Sequence, residues 1–67
     1  MINGKTEELM YRMTYYLNKS EKAGECGNLE IAEYYFGKAY GIGEALEMLT
    51  GMSSEEIYRE ILRRINA

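Results

Sequence analysis

From Asn28 to Met52 the chain reads as one helix of about seven turns, at ~3.6 residues per turn. Its apolar residues spread over more than half of the circumference. A helix apolar over so wide an arc is covered on two sides, so the other residues are arranged around it. One seam, Ala32, Tyr35, Ala39, Ile42, Leu46 and Leu49, recurs at alternating steps of three and four, with Phe36 on its flank. A second row lies roughly opposite: Tyr34, Gly41, Ala45, Met48 and Met52. Only a narrow strip, holding Glu33, Glu44 and Glu47, is polar. The first seam is expected to meet a preceding helix. The second row is where a third helix and a second subunit compete.

The preceding helix is expected over 6–23, after a short frayed arm from Met1 to Lys5. Thr6 is suited to cap it, because its hydroxyl can accept from an unpaired backbone N–H. Glu7 and Glu8 in the first turn suit the helix dipole. Leu9, Met10, Met13, Tyr16, Leu17, Ser20 and Ala23 fall on one side. Gly24 is a natural left-handed terminus. The short Gly24-Glu25-Cys26-Gly27 connection then turns the chain back antiparallel. Asn28 caps the second helix, expected over 28–50, and Gly51-Met52 ends it.

Ser53 and Glu56 have the reciprocal spacing of a capping box and open a third helix over 53–65. Ile57, Tyr58, Ile61, Leu62 and Ile65 form its apolar stripe. Glu55 with Arg59, and Glu60 with Arg64, are acid-before-base pairs at four-residue spacing. Arg63 and Arg64 complement the dipole at its end. The fold class is therefore all-α: a three-helix bundle on an antiparallel hairpin, as a single domain over residues 1–67.

Gly37, Gly41 and Gly43 interrupt this regularity. Each interior glycine costs roughly 1 kcal/mol relative to alanine. Either another backbone approaches closely where no side chain holds it off, or the helix breaks around Gly41-Ile42-Gly43. Close packing is the preferred expectation.

The segment Gly27-Asn28-Leu29-Glu30-Ile31-Ala32-Glu33-Tyr34-Tyr35-Phe36-Gly37-Lys38-Ala39 resembles the second half of a tetratricopeptide repeat. Gly27, Ala32, Phe36 and Ala39 match that family's spacing of turn glycine, alanine, aromatic and alanine. Tyr16 and Ser20 stand where the family has an aromatic and a small residue in its first helix. Lys19 and Ala23 depart from its usual leucine and tyrosine. The likeness spans one repeat and under half the chain. It implies two helices closely packed at small residues, in a type of fold that binds helical or extended peptides.

A chain of 67 residues builds a core rarely worth more than roughly 3–5 kcal/mol, so a staple is expected. One cysteine, Cys26, closes no intrachain disulfide, and with no histidine there is no plausible zinc ligand set. Oligomerisation is the remaining staple, with a homodimer favoured as the commonest closed symmetry. No apolar run is long enough to span a membrane and no secretory h-region follows the N-terminus, so a cytoplasmic setting is expected.

Catalytic chemistry finds no support. Histidine, the commonest near-neutral base, is absent. Cys26 sits in a glycine-flanked turn without a base partner. Glu7/Glu8, Glu30/Glu33 and Glu55/Glu56 all fall in first turns, where capping and dipole effects account for them. Gly41-Ile42-Gly43-Glu44-Ala45-Leu46 lacks the third glycine of a dinucleotide fingerprint and follows no strand. No catalytic, metal or cofactor-binding residue is assigned, and no cofactor is expected. A net charge of −3, and the glutamates interleaved with Arg59, Arg63 and Arg64, argue against nucleic acid.

The seven tyrosines carry more information. Tyr16, Tyr35 and Tyr58 fit core stripes, whereas Tyr11, Tyr15 and Tyr40 lie off them. Exposed tyrosine and methionine favour interfaces. The expected function is a non-enzymatic, self-associating protein–protein interaction module with an unidentified protein partner. Its expected surface comprises Tyr11, Tyr15, Tyr34, Tyr40, Gly41, Met48 and Met52. The alternatives are a small accessory regulator or inhibitor of a larger enzyme or complex, of phage or mobile-element type, and, less favoured, a nucleic-acid-associated regulator.

Overall fold

The computed structural model describes residues 4–65 and, among them, three helices and no strand. They are α1 (Gly4–Glu25), α2 (Leu29–Thr50) and α3 (Ser54–Ile65). The all-α, three-helix expectation holds, with packing mainly between α1 and α2. These two helices of 22 residues each are ~33 Å long at 1.5 Å per residue, and they set the 38 Å long axis of the molecule.

α1 begins earlier and ends later than its sequence pattern predicts. Gly4 and Lys5 belong to the helix, while Met1–Asn3 lie outside the described residues. Thr6 is therefore not a cap. It sits inside the helix on the face of Met10 and Met13, four and seven residues on, and is buried with them. At the other end α1 runs through Gly24, and the left-handed residue is Gly27, at φ 80°. The Gly27 N–H donates to the Gly24 carbonyl at 3.0 Å and the Asn28 N–H to the Ala23 carbonyl at 2.9 Å. This pair of bonds is a Schellman motif, which needs its positive φ three residues beyond Gly24.

Asn28 caps α2 as expected, its Oδ1 accepting from the Ile31 N–H at 3.3 Å. Gly51, at φ 73°, closes the helix by donating its N–H to the Glu47 carbonyl at 3.0 Å. The capping box at α3 is formed in both directions. The Glu56 N–H donates to Ser53 Oγ at 3.2 Å, and the Ser53 N–H to Glu56 Oε1 at 3.3 Å.

The core is small: Met10 and Met13 from α1, Ala39 and Leu46 from α2, Ile57 and Ile61 from α3. Leu9, Tyr16, Leu17, Ile42 and Met52 pack partly buried around it. The whole α1 stripe from Leu9 to Ala23 is buried or half-buried. Ser20 ties the hairpin across its interface, its hydroxyl donating to the Ala32 carbonyl at 2.8 Å.

Three further expectations change. Leu49 is 65% exposed and Phe36 is 56% exposed, because both lie at the edges of the α2 arc that runs through the buried Ala39 and Leu46. Tyr58 is 52% exposed rather than core, since Ile57 and Ile61 alone turn α3 into the cleft between α1 and α2; the Ile65 side chain lies outside the described ones. The three-residue link Gly51–Ser53 brings α3 over the Ala39–Gly43 side of α2, leaving the row of Tyr34, Gly41 and Met48 open.

α2 does not break. Of its three glycines only Gly43 is buried in close contact: a Cβ there would lie 3.1 Å from Met13 Cε. A Cβ at Gly37 or Gly41 would meet no packing neighbour within 4 Å. Close packing explains Gly43 alone.

Candidate functional site

Among the described residues more large hydrophobic side chains are exposed than hydrophobic residues are buried. Eleven large hydrophobic side chains are exposed, against six hydrophobic residues buried. A small domain leaves single apolar residues in water without consequence, so only their grouping matters. Most of them group on three surfaces.

The first is a row of four tyrosine rings across the hairpin. Tyr16 of α1 stacks on Tyr35 of α2, with centroids 5.9 Å apart and planes 21° from parallel. Tyr15 meets Tyr16 edge-on at 5.5 Å, and Tyr34 meets Tyr35 edge-on at 5.3 Å. The Lys38 ammonium lies between Tyr16 and Tyr34, 5.4 and 5.2 Å from their centroids, and Lys19 lies 5.5 Å from that of Tyr15. Edge-to-face rings and a cation over a ring face are favourable quadrupole arrangements. The Tyr34 side chain holds the Lys38 ammonium above its ordinary pKa.

The second is the outer face of α2. Tyr34, Gly41 and Met48 recur at seven-residue spacing, with Gly37 and Ala45 between them. Met48 is 88% exposed. Ile31 and Leu49 extend this face, and no other part of the described chain covers it.

The third is a groove of about 340 Å³ between α2 and α3. Its floor is Met13, Leu17, Ala39, Gly43 and Ile57, and its walls are Phe36, Tyr40 and Tyr58. Every charged residue along it is acidic: Glu44, Glu47 and Glu55. Glu55 is engaged by Arg59 at 3.3 Å, but Glu44 and Glu47 make no ion pair among the described residues. The groove exists because Ala39 and Gly43 present almost no side chain there, and because Tyr58 turns away from the core.

A separate charged cluster fastens α3. Arg64 donates two hydrogen bonds to Glu7 of α1, at 2.6 and 2.7 Å, and its Nε lies 3.5 Å from Glu60 Oε1. Arg63 also pairs with Glu60. Hydrogen bonding from Arg64 holds the Glu7 carboxyl below its ordinary pKa, and Arg63 does the same to Glu60. Glu60 with Arg64 was legible in the sequence; the bond to Glu7, 57 residues away, was not.

Of the residues expected at an interaction surface, Tyr34, Gly41 and Met48 come together on the outer face of α2. Tyr40 stands on the groove wall. Tyr15 joins the ring row, and Tyr11, 74% exposed, lies one turn before it on α1. Met52 is half-buried against the core, so it is set apart from the others. The sequence pattern did not single out Phe36, Tyr58 and Leu62 as surface residues. Their shared feature is a position at the edge of an apolar stripe, where coverage depends on the width of the neighbouring helix. Cys26 is exposed.

Among the described residues no cluster of three or more His, Cys, Asp or Glu is placed to hold a metal ion, and no helix is long and apolar enough to cross a membrane. Comparison with protein-family models, with curated proteins and with solved structures finds no match to the chain.

Proposed function

We propose that this chain is a non-enzymatic protein–protein interaction module that self-associates, with a homodimer as its working form. The observation that carries the reading is the excess of exposed large hydrophobic residues over buried ones in a chain of 67 residues. Six hydrophobic residues buried among the described ones make a small core, and association is a route to further burial for a chain with a single cysteine and no histidine. The outer face of α2 suits a second copy. Gly37 and Gly41 let a helix approach closely, while Tyr34, Met48 and Leu49 flank the contact with apolar area. This also accounts for two glycines that cost helix stability and at which a Cβ would meet nothing within 4 Å among the described residues.

Molar mass in solution over a concentration series tests the reading. A dimer that dissociates on dilution is expected. Gly41→Leu, at a position with open space around it, is expected to keep the helical circular dichroism and yield a monomer. A strict monomer at the highest concentration overturns the self-association. Replacing Tyr11 and Tyr15 by serine is expected to weaken partner binding without loss of helicity.

A further inference from the structure

The groove between α2 and α3 is a second surface, on a different side of α2 from the open Tyr34–Met48 row. We propose that it receives a basic amphipathic helix from a partner protein, with the apolar face of that helix on the groove floor and its lysines or arginines at the Glu44–Glu47 lip. This deepens the reading of the chain as an interaction module by giving the partner's chemistry.

Three observations converge on that occupant. The first is charge. Within the chain Glu7, Glu8, Glu55 and Glu60 each have an arginine partner. Glu44 and Glu47, one turn apart on the groove lip, have none among the described residues, as is true of five other glutamates; of these unpaired carboxylates only Glu44 and Glu47 line the groove, and no cation lines it. Two free carboxylates beside an apolar cleft select a ligand with positive charge flanking apolar side chains.

The second is the poverty of polar groups in the groove. Between its acidic residues the lining offers only the hydroxyls of Ser54, Tyr40 and Tyr58. An extended peptide laid there would leave backbone N–H and C=O groups desolvated and unpaired. A helix satisfies its own backbone and brings only side chains to the contact.

The third is length. From Phe36 to Glu47 the groove follows about three turns of α2, or ~17 Å at 1.5 Å per residue. That span matches apolar anchors at i, i+3 or i+4, and i+7 of a docked helix. The aromatic walls Phe36, Tyr40 and Tyr58 are of the residue class that dominates such contacts.

The test uses a fluorescent synthetic helix with leucine along one face and lysine along its flanks, titrated with the full chain. Two control peptides accompany it: one with glutamate in place of lysine, and one of the same composition in scrambled order. Saturable binding that weakens with added salt, with both control peptides binding more weakly, is expected. The double variant E44K/E47K is expected to weaken it about tenfold. Y40S, at an exposed position, is expected to weaken it with helicity unchanged. Amide shifts on binding should map to Tyr40, Gly43 and Tyr58. Equal affinity for E44K/E47K, shifts confined to Tyr34 and Met48, or no saturable binding overturns the proposal. So does protection of Tyr40 and Tyr58 in the protein's own dimer, which would make a second copy the occupant. Self-association through the outer face is read separately from the molar mass of Gly41→Leu, so either proposal can fail without the other.

Discussion

Arg64, near the end of α3, grips Glu7, near the start of α1, with two parallel hydrogen bonds of 2.6 and 2.7 Å. The bidentate geometry fixes direction as well as distance. The pair joins the last turn of the described chain to one of the first, and Glu60 presents a second carboxylate to the same guanidinium.

Because Glu7 is held below its ordinary pKa by this contact, its effect on stability has a definite sign with pH. The folded state binds the Glu7 proton more weakly than the unfolded state does. The contribution is therefore complete above the ordinary glutamate range, about 4.3, and is lost as pH falls through the lowered folded value. Glu7→Gln is expected to lower the melting temperature at neutral pH by a few degrees. The two melting curves should converge in acid below that range. A constant gap at all pH values would show that the carboxylate charge is not what matters.

The three glycines of α2 are expected to separate in stability. Gly37→Ala and Gly41→Ala meet open space, so each should gain up to ~1 kcal/mol from helix propensity alone. Gly43→Ala must displace the end of the Met13 side chain and should gain less. Gly43→Leu should cost ~1–3 kcal/mol by overpacking. Urea unfolding at a concentration where the chain is monomeric measures all four.

The turn between α1 and α2 yields a pair of opposite signs. Gly27 holds φ 80°, so Gly27→Ala should cost ~1–2 kcal/mol. Gly24 is an exposed helical residue with nothing near it, so Gly24→Ala should stabilise by up to ~1 kcal/mol. The same urea experiment decides the matter, and a cost at position 24 would move the left-handed site back there.

These contrasts show which parts of the fold were legible in the sequence. Asn28 and Ser53 announced their helices because a cap is a local matter of two or three residues. The α1 stripe was legible because seven residues at helical spacing average out local accidents. Gly24 misled because two glycines, at 24 and 27, both suit a left-handed terminus, and only the hydrogen-bond partners distinguish them. The surfaces were harder to read. Periodicity says that Phe36, Leu49 and Tyr58 lie on apolar sides of their helices. It does not say how far the neighbouring helix extends, and α3, at 12 residues, is too short to cover the hairpin. The Glu7–Arg64 pair was invisible for the same reason, since it depends on where α3 lands.

Among the described residues α3 meets the hairpin chiefly through two buried isoleucines, Ile57 and Ile61, and the Glu7–Arg64 clamp. It leaves α2 through Gly51, a residue whose left-handed conformation suits a joint. One wall of the groove thus belongs to the hairpin and the other to the shorter helix packed on it. The width of the groove is set by how α3 sits on Met10 and Met13, whose flexible side chains tolerate repacking. For the helix we propose as its occupant, such a cleft would act as a jaw rather than a socket, discriminating little among apolar side chains. Selectivity in such a jaw falls to the charges at its lip.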